Sequence, residues 1–240
     1  MYTPAPPPPG ATVAATSTVD LGVVNDANSG RSWLSPTALT PPAGTWSFSD
    51  FELLFVSGAY AVTDQLQISA TTLLPIAEDM PFFGMLSAKL QVLRSGRVRG
   101  AAHAAVLHVT EGSGAAVTIG TLGGALTLCL DDDCHSHLTG YLGAGFADEE
   151  QSSVPFVASA ALTFRVARLV KIVLEADSAF IAGEIDETAN GFLGWYGVRF
   201  TSKNIGVDLG FAKPICDGCE DGLVMGFPFV SFTYRAFKGD

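Results

Sequence analysis

No run of 18 or more apolar residues occurs anywhere in the 240-residue chain, which argues against a membrane-spanning helix. Bases are scarce as well: 13 Lys and Arg stand against 24 Asp and Glu, a formal net charge of −11. A nucleic-acid partner is therefore not expected, because phosphate binding needs a basic surface. Amphipathic helical periodicity is missing. The opening Met1-Tyr-Thr-Pro-Ala-Pro-Pro-Pro-Pro-Gly10 has neither the basic nor the apolar region of an export signal. Catalytic signatures are missing too, with no Gly-x-Ser-x-Gly elbow, no phosphate loop and no ordered Ser/His/Asp set. His103 and His108 fall on opposite faces of their strand. No enzyme, cofactor or metal centre is expected on these grounds.

What remains is apolar without being helical. The chain is 48% hydrophobic and 15% charged, with a mean hydropathy of +0.34. An apolar surplus without apolar runs fits strands that alternate between lipid and lumen. Residues 1–30, rich in Pro, Ala, Thr and Ser, read as an extended mobile lead. After Gly30 the sequence breaks into twelve short β-like runs: Arg31–Leu39, Thr45–Tyr60, Gln65–Leu74, Phe82–Leu93, Arg97–Thr110, Ala115–Cys129, Ser136–Ala147, Val154–Val166, Val170–Phe180, Phe192–Ser202, Ile205–Lys213 and Phe227–Phe237. Most have the length a tilted strand needs to cross a bilayer. The expected domain layout is a lead over 1–30 and an all-β, closed antiparallel transmembrane barrel of about twelve strands over 31–240.

Connection lengths alternate. Ala61–Asp64, Arg94–Gly96, Leu130–His135, Ala167–Leu169 and Lys203–Asn204 form the short set. Pro75–Pro81, Asp148–Ser153, Ile181–Gly191 and Pro214–Gly226 are the long ones. Short turns belong on the periplasmic side and long loops outside. A two-residue turn at Lys203-Asn204 pairs Phe200 with Val207, Val198 with Leu209 and Tyr196 with Phe211 on one face. The other face then pairs Arg199 with Asp208 and Gly197 with Gly210. A three-residue loop Arg94-Ser95-Gly96 would set Gln91 opposite Arg99 and Ser87 opposite His103.

Aromatics gather near the strand ends, as interfacial girdles require. Trp46, Phe48, Phe82, Phe83, Phe146, Phe156, Phe180, Phe192, Trp195, Tyr196, Phe211, Phe227 and Phe229 fall on the loop side. Tyr60, Phe164, Phe200, Phe232, Tyr234 and Phe237 fall on the turn side.

The segments Gly197-Val198-Arg199-Phe200, Val207-Asp208-Leu209-Gly210-Phe211 and Phe229-Val230-Ser231-Phe232-Thr233-Tyr234-Arg235-Ala236-Phe237 resemble uncharacterised outer-membrane β-barrel proteins of Gram-negative bacteria. So do Arg31-Ser-Trp-Leu-Ser-Pro-Thr-Ala38 and Ala61-Val-Thr-Asp64. The resemblance covers roughly Gly30 to Phe237 and implies fold and location, with no reaction attached. It implies an outer-membrane location, contact with lipid and lipopolysaccharide, and handling by the barrel-assembly machinery through the C-terminal strand. Phe232 and Tyr234 fit that machinery's alternating aromatics, while Ala236 and the out-of-phase Phe237 depart from them. A mature chain whose export signal has been removed is the corresponding expectation.

Several groups carry open alternatives. Cys129/Cys134 and Cys216/Cys219 are local pairs that suit disulfides in an exported protein, or free thiols, or redox or metal use. The cluster Asp131-Asp-Asp-Cys134-His135-Ser-His137 reads as a solvated turn and also permits a metal. Lys89, Gln91, Arg99, His103, Tyr141, Arg165, Lys171, Glu175, Asp177, Arg199 and Asp208 are expected to line the lumen. Their charges read as a salt-bridged filling network or as selectivity for a permeant, and least as catalysis. Glu78, Asp79, Glu111, Asp148, Glu149, Glu150, Glu184, Asp186, Glu187, Asp217, Glu220 and Asp221 make the outer loops acidic, without a Lys or Arg. Such a rim is either ordinary solvation, or it attracts cations and bridges through divalent ions to lipopolysaccharide. The functional expectation is a small passive channel or transport barrel. A structural or surface-interaction barrel closed by its own side chains is the alternative, and a soluble lipocalin-like ligand binder stands behind both.

Overall fold

The computed structural model describes residues 20–74, 81–110, 116–147, 155–181, 192–215 and 225–238. Twelve antiparallel strands form one closed barrel in which every strand pairs with its sequence neighbours and β1 pairs with β12. In chain order they are β1 (Trp46–Phe51), β2 (Phe55–Ala61), β3 (Leu66–Leu73), β4 (Phe82–Ser95), β5 (Val98–Thr110), β6 (Ala116–Cys129), β7 (His137–Ala147), β8 (Pro155–Ala167), β9 (Val170–Ile181), β10 (Phe192–Thr201), β11 (Ile205–Ile215) and β12 (Phe227–Ala236). Closure leaves no unpaired edge, which a bilayer requires of any β structure.

The alternation expected from the sequence decides which way each residue points. Along β6, Leu122, Leu126 and Leu128 are exposed outward, whereas Ala125, Thr127 and Cys129 are buried inward. Outward positions also carry Leu86, Val106, Leu142 and Leu174, an apolar belt suited to acyl chains. The five short connections lie at the end of the barrel shared by the start of β1 and the end of β12, here the inner end. The β10–β11 hairpin has the register read from sequence, with Arg199 opposite Asp208 and Tyr196 opposite Phe211.

Four expectations need correction. First, Arg31–Leu39 is no strand: its one bridge joins Arg31 to Pro36 within the segment, and the chain there is folded inside the barrel. Second, the long run Thr45–Tyr60 is a hairpin, β1 and β2, which restores the count of twelve. The reversal falls at Glu52 and Leu53, both left-handed at φ 57° and 58°. Non-glycine residues seldom adopt that conformation, so no turn signal was visible. Asp50 holds the reversal by accepting the Leu53 amide at 2.8 Å.

Third, the β4–β5 hairpin turns on Gly96 and Arg97, so Gln91 faces Ala101 and Ser87 faces Ala105, two residues from the expected pairing. A bulge between Gln91 and Leu93 takes back one residue of the three-residue shift at the turn, and the even shift that remains leaves the inward and outward sets of the strand centres intact. Fourth, Trp46 and Phe48 sit at the inner end, Trp46 opposite Tyr60, because the hairpin reversal moved them. Phe83, Trp195, Phe227 and Phe229 face inward, while Phe82, Phe146 and Phe192 are among the aromatics exposed in the loop-side girdle.

Leu122 lies at the middle of β6 and is 61% exposed. Leu122→Arg should lower folding stability in lipid by about 2–4 kcal/mol, the cost of a base at the bilayer midplane. Urea titration of tryptophan fluorescence in liposomes measures it, and an unchanged midpoint would place this face away from lipid.

Candidate functional site in the barrel lumen

The lumen is occupied by the chain's own N-terminal segment. Asp20 enters at the inner end, a short helix α1 (Leu21–Val24) follows, and the chain rises to a tight turn at Ser32–Ser35. It then returns through Thr37–Leu39 to join β1. Val23, Asp26, Ala27, Asn28, Ser29, Trp33, Thr37, Ala38 and Leu39 are buried. Of the lead expected to be mobile over 1–30, residues 20–30 are thus packed inside the barrel; residues 1–19 lie outside the described residues. We call Asp20–Thr45 the plug.

A buried charge needs a partner, and here the wall and the plug supply each other's. At the inner end Arg99 grips the Asp20 carboxylate through two nitrogens, at 2.8 and 3.0 Å. Lys171 binds Asp26 at 2.6 Å, and Thr201 donates to the same carboxylate at 2.9 Å. Arg235 donates to the Val23 carbonyl and to Ser29 Oγ. Lys89 donates to the carbonyls of Gly30 and Leu39, at 2.9 and 2.6 Å, and Gln91 to that of Ala38 at 2.8 Å. Arg199 and Asp208 form the cross-strand pair at 2.7 Å. The plug completes that pair: Asn28 and Arg31 approach Asp208, and the Ser32 carbonyl accepts from Arg199.

The plug's crest is held by one acid. Glu175 accepts the backbone N–H groups of Trp33, Leu34 and Ser35, and Asp177 accepts the Ser35 hydroxyl at 2.8 Å. Trp33 Nε1 donates to the Val173 carbonyl, and its ring meets Phe229 edge-on at 5.5 Å. Arg31 lies over the Phe51 ring at 4.5 Å.

The inner floor is a disulfide turn. Cys129 and Cys134 are bonded, and Val23 and Leu39 pack on them. Gly22 donates to the Asp133 carbonyl at 2.6 Å, so close that a Cβ there would stand 2.3 Å from the Cys134 carbonyl oxygen. Asp131 shapes this turn by accepting the amides of His135 and Ser136, at 2.7 and 2.8 Å. Burial works to raise its carboxyl, but those amides outweigh it and hold the group below the ordinary carboxylate value. Among the described residues no group of three or more His, Cys, Asp and Glu could hold a metal. Cys216 and Cys219 lie outside the described residues, as do all twelve acids assigned to the outer loops.

A vestibule of about 900 Å³ lies above the plug's crest and continues down beside the plug, where Ala27, Asn28, Arg31, Gln67, Lys89 and Arg235 line it. Leu34 and Pro36 of the crest face it, and Phe51, Phe55, Phe83, Met85, Leu193, Phe227 and Phe229 form its upper wall. Ser49, Ser57, Ser69 and Ser87 line the side where β1 to β4 face the plug. Glu52, from the reversal missed in the sequence, stands at its rim.

The structure can be set beside known ones. The KdgM porin in complex with disordered oligogalacturonate superposes with a TM-score of 0.53 over 80% of this chain and 95% of its own, at 6% identity. The chain has the fold of an outer-membrane β-barrel. Weaker likenesses to this barrel are OmpT of Vibrio cholerae (TM-score 0.42, 14% identity, 76% of this chain and 64% of that one) and LpxR from Salmonella typhimurium (TM-score 0.43, 10% identity, 80% and 99%). No family model and no curated protein matches the sequence.

Within this outer-membrane barrel, the residues expected in the lumen sort into three groups. Lys89, Gln91, Arg99, Lys171, Glu175, Arg199 and Asp208 are buried and, Arg199–Asp208 apart, bind the plug more than one another. His103, Tyr141 and Asp177 line the vestibule, with His103 Nδ1 3.2 Å from the Tyr141 hydroxyl. Arg165 points inward at the inner rim, opposite Lys171, and bonds the Ala167 carbonyl. Glu175 and Asp177 bind the plug's crest instead of a wall base, and Lys171 binds Asp26 of the plug. Sequence reasoning missed Asp20, Asp26, Asn28, Arg31 and Trp33. The available signal was a tryptophan and spaced acids in a segment otherwise poor in both.

Asp208→Ala should strip Arg199 of its nearer carboxylate in a fully buried site, leaving Asp26 at 3.8 Å, and cost about 3–5 kcal/mol. Denaturant titration reads it, and a loss under about 1 kcal/mol would mean that water reaches the pair. Gly22→Val should expel the inner part of the plug from the disulfide turn while leaving the strands paired. Hydrogen exchange at residues 21–30 should then rise, with the β5–β6 amides still protected; unchanged protection at 21–30 would refute the close approach.

Proposed function

We propose that the chain is an outer-membrane transport barrel held shut at rest by its own plug, so that solute passes only when Asp20–Thr45 shifts. The observation that carries this is the plug itself, held by Arg99, Lys171, Arg199, Glu175 and Arg235 and closed below by the disulfide turn. The reading keeps the transport barrel expected from the sequence and adds a gate to it. It assigns no reaction. It places the apolar belt in lipid beside lipopolysaccharide, with divalent cations at the acidic outer loops and the outward Phe232 and Tyr234 of β12 offered to the assembly machinery. A permanently closed structural barrel is the second reading, favoured by the depth of the same ion-pair network.

Planar-bilayer recording separates them. The intact chain should give no steady conductance, and a variant lacking residues 1–38 should give stable open channels. At about 0.01 M salt, where the Debye length is about 30 Å, the acidic loops should make those channels favour cations, and about 1 M salt should erase the preference. Steady conductance from the intact chain would sink the gate. A folded but silent deletion variant would favour the structural barrel, and anion preference at low salt would give selectivity to the bases freed from the plug.

A further inference from the structure

The plug does not fill the bore evenly. Its crest is held from β9 and β10, by Val173, Glu175, Asp177 and Arg199. On the opposite side, along β1 to β4, the vestibule runs down past the plug as a crevice that reaches Gly30, Gln67 and Lys89.

The lower end of this crevice is rich in donors and carries no acid. Lys89 on β4 lies directly opposite Gln67 on β3, and the next inward rung above them sets Ser87 opposite Ser69. Arg31 and Arg235 line the same space. Three bases thus gather at three successive plug residues: Arg235 donates to Ser29 Oγ at 3.0 Å, Lys89 donates to the Gly30 carbonyl at 2.9 Å, and Arg31 comes next. The acids that line the cavity stand elsewhere, Glu52 at the outer rim and Asp177 on β9 across the crest. Among the described residues neither Lys89 nor Arg235 has a carboxylate partner, and Arg31 shares Asp208 with Arg199. The Lys89 ammonium has three N–H donors and uses two of them on carbonyls. Cations matched mainly by neutral dipoles in a confined lumen are stabilised by an anion.

Room for one exists beside these donors. Gly30 borders the crevice without a side chain, and a Cβ there would stand 3.5 Å from Lys89 Nζ and 3.4 and 3.7 Å from the two ends of the Gln67 amide. That gap is continuous with the vestibule above, and Gln67, Ser69 and Ser87 are only half-buried beside it. The Arg31 side chain keeps 16% of its surface exposed.

We propose that the crevice binds a small oxyanion, the carboxylate or phosphate group of a solute, in the gap at Gly30, where Lys89, Arg31 and Gln67 donate to it and the Ser69–Ser87 rung continues above. The proposal names the charged group of the solute and rests on the transport reading for the solute's path alone; binding does not require the gate.

Isothermal titration calorimetry on the full chain in lipid nanodiscs tests it, with propionate and inorganic phosphate as probes, propionamide as the neutral control and empty discs as the baseline. Salt at about 0.15 M shortens the Debye length to about 8 Å and screens the acidic loops. At least one of the anions should bind saturably, one per barrel, and about tenfold or more tightly than propionamide. The tighter of the two identifies the solute's group as carboxylate or phosphate. Gly30→Ala keeps every charge and fills the gap, so it should weaken that anion by about tenfold, with hydrogen exchange at residues 21–30 unchanged. Lys89→Met should weaken it as well, although it also releases two plug carbonyls, so Gly30→Ala is the cleaner variant. Heats equal to those of empty discs, a propionamide affinity equal to that of both anions, or an anion affinity that survives either substitution would overturn the proposal. The outcome is separable from the gate: a chain that conducts steadily yet binds in this pattern loses the gate and keeps the site, and a silent chain that binds neither anion keeps the gate and loses the site.

Discussion

Charge inside a barrel must be answered inside the barrel, and this requirement organises the lumen. The wall presents Lys89, Arg99, Lys171, Arg199 and Arg235, while its own acids are Glu175, Asp177 and Asp208. Left to themselves these groups would need water or a wider bore. The plug answers them with two acids, Asp20 and Asp26, and with a series of backbone carbonyls. In exchange, Glu175 takes up three amides of the crest that would otherwise be buried without acceptors. Removing either side leaves the other unpaired, so wall and plug behave as one unit.

This explains why the fold was legible in the sequence and the site was not. Strand alternation is a local signal with period two, and it survives small errors of register. The β4–β5 hairpin shows this: its pairing was displaced by two residues, yet Lys89 and Gln91 still pointed inward. Arg199 and Asp208 were placed correctly because a two-residue turn fixes every pair behind it. The reversal at Glu52 and Leu53 was invisible, since neither residue is one that turns favour, and it made two strands read as one.

The plug left a weaker trace for a different reason. Its structure comes from long-range partners: Asp26 meets Lys171 and Asn28 meets Asp208, well over a hundred residues away. Taken alone, the segment has the Pro, Ala, Thr and Ser content of a flexible lead. The inward charges were identified as a network, but two of its acids, Asp20 and Asp26, sat in a stretch read as an extended mobile lead. Trp33 was hidden differently, inside Arg31–Leu39, a run that read as a strand and is instead the plug's crest.

Both ends of the plug lie at the inner mouth, since Asp20 binds Arg99 there and Thr45 runs directly into β1. The segment is therefore a hairpin-like excursion whose anchors are stacked in series along the barrel axis. A pull on the chain before Asp20 from the inner side would load the Arg99 contact first, then the Gly22–Asp133 bond, then Asp26, and the Glu175 cradle last. Such a geometry takes load contact by contact, while the covalent link to β1 keeps the segment tethered at the inner mouth.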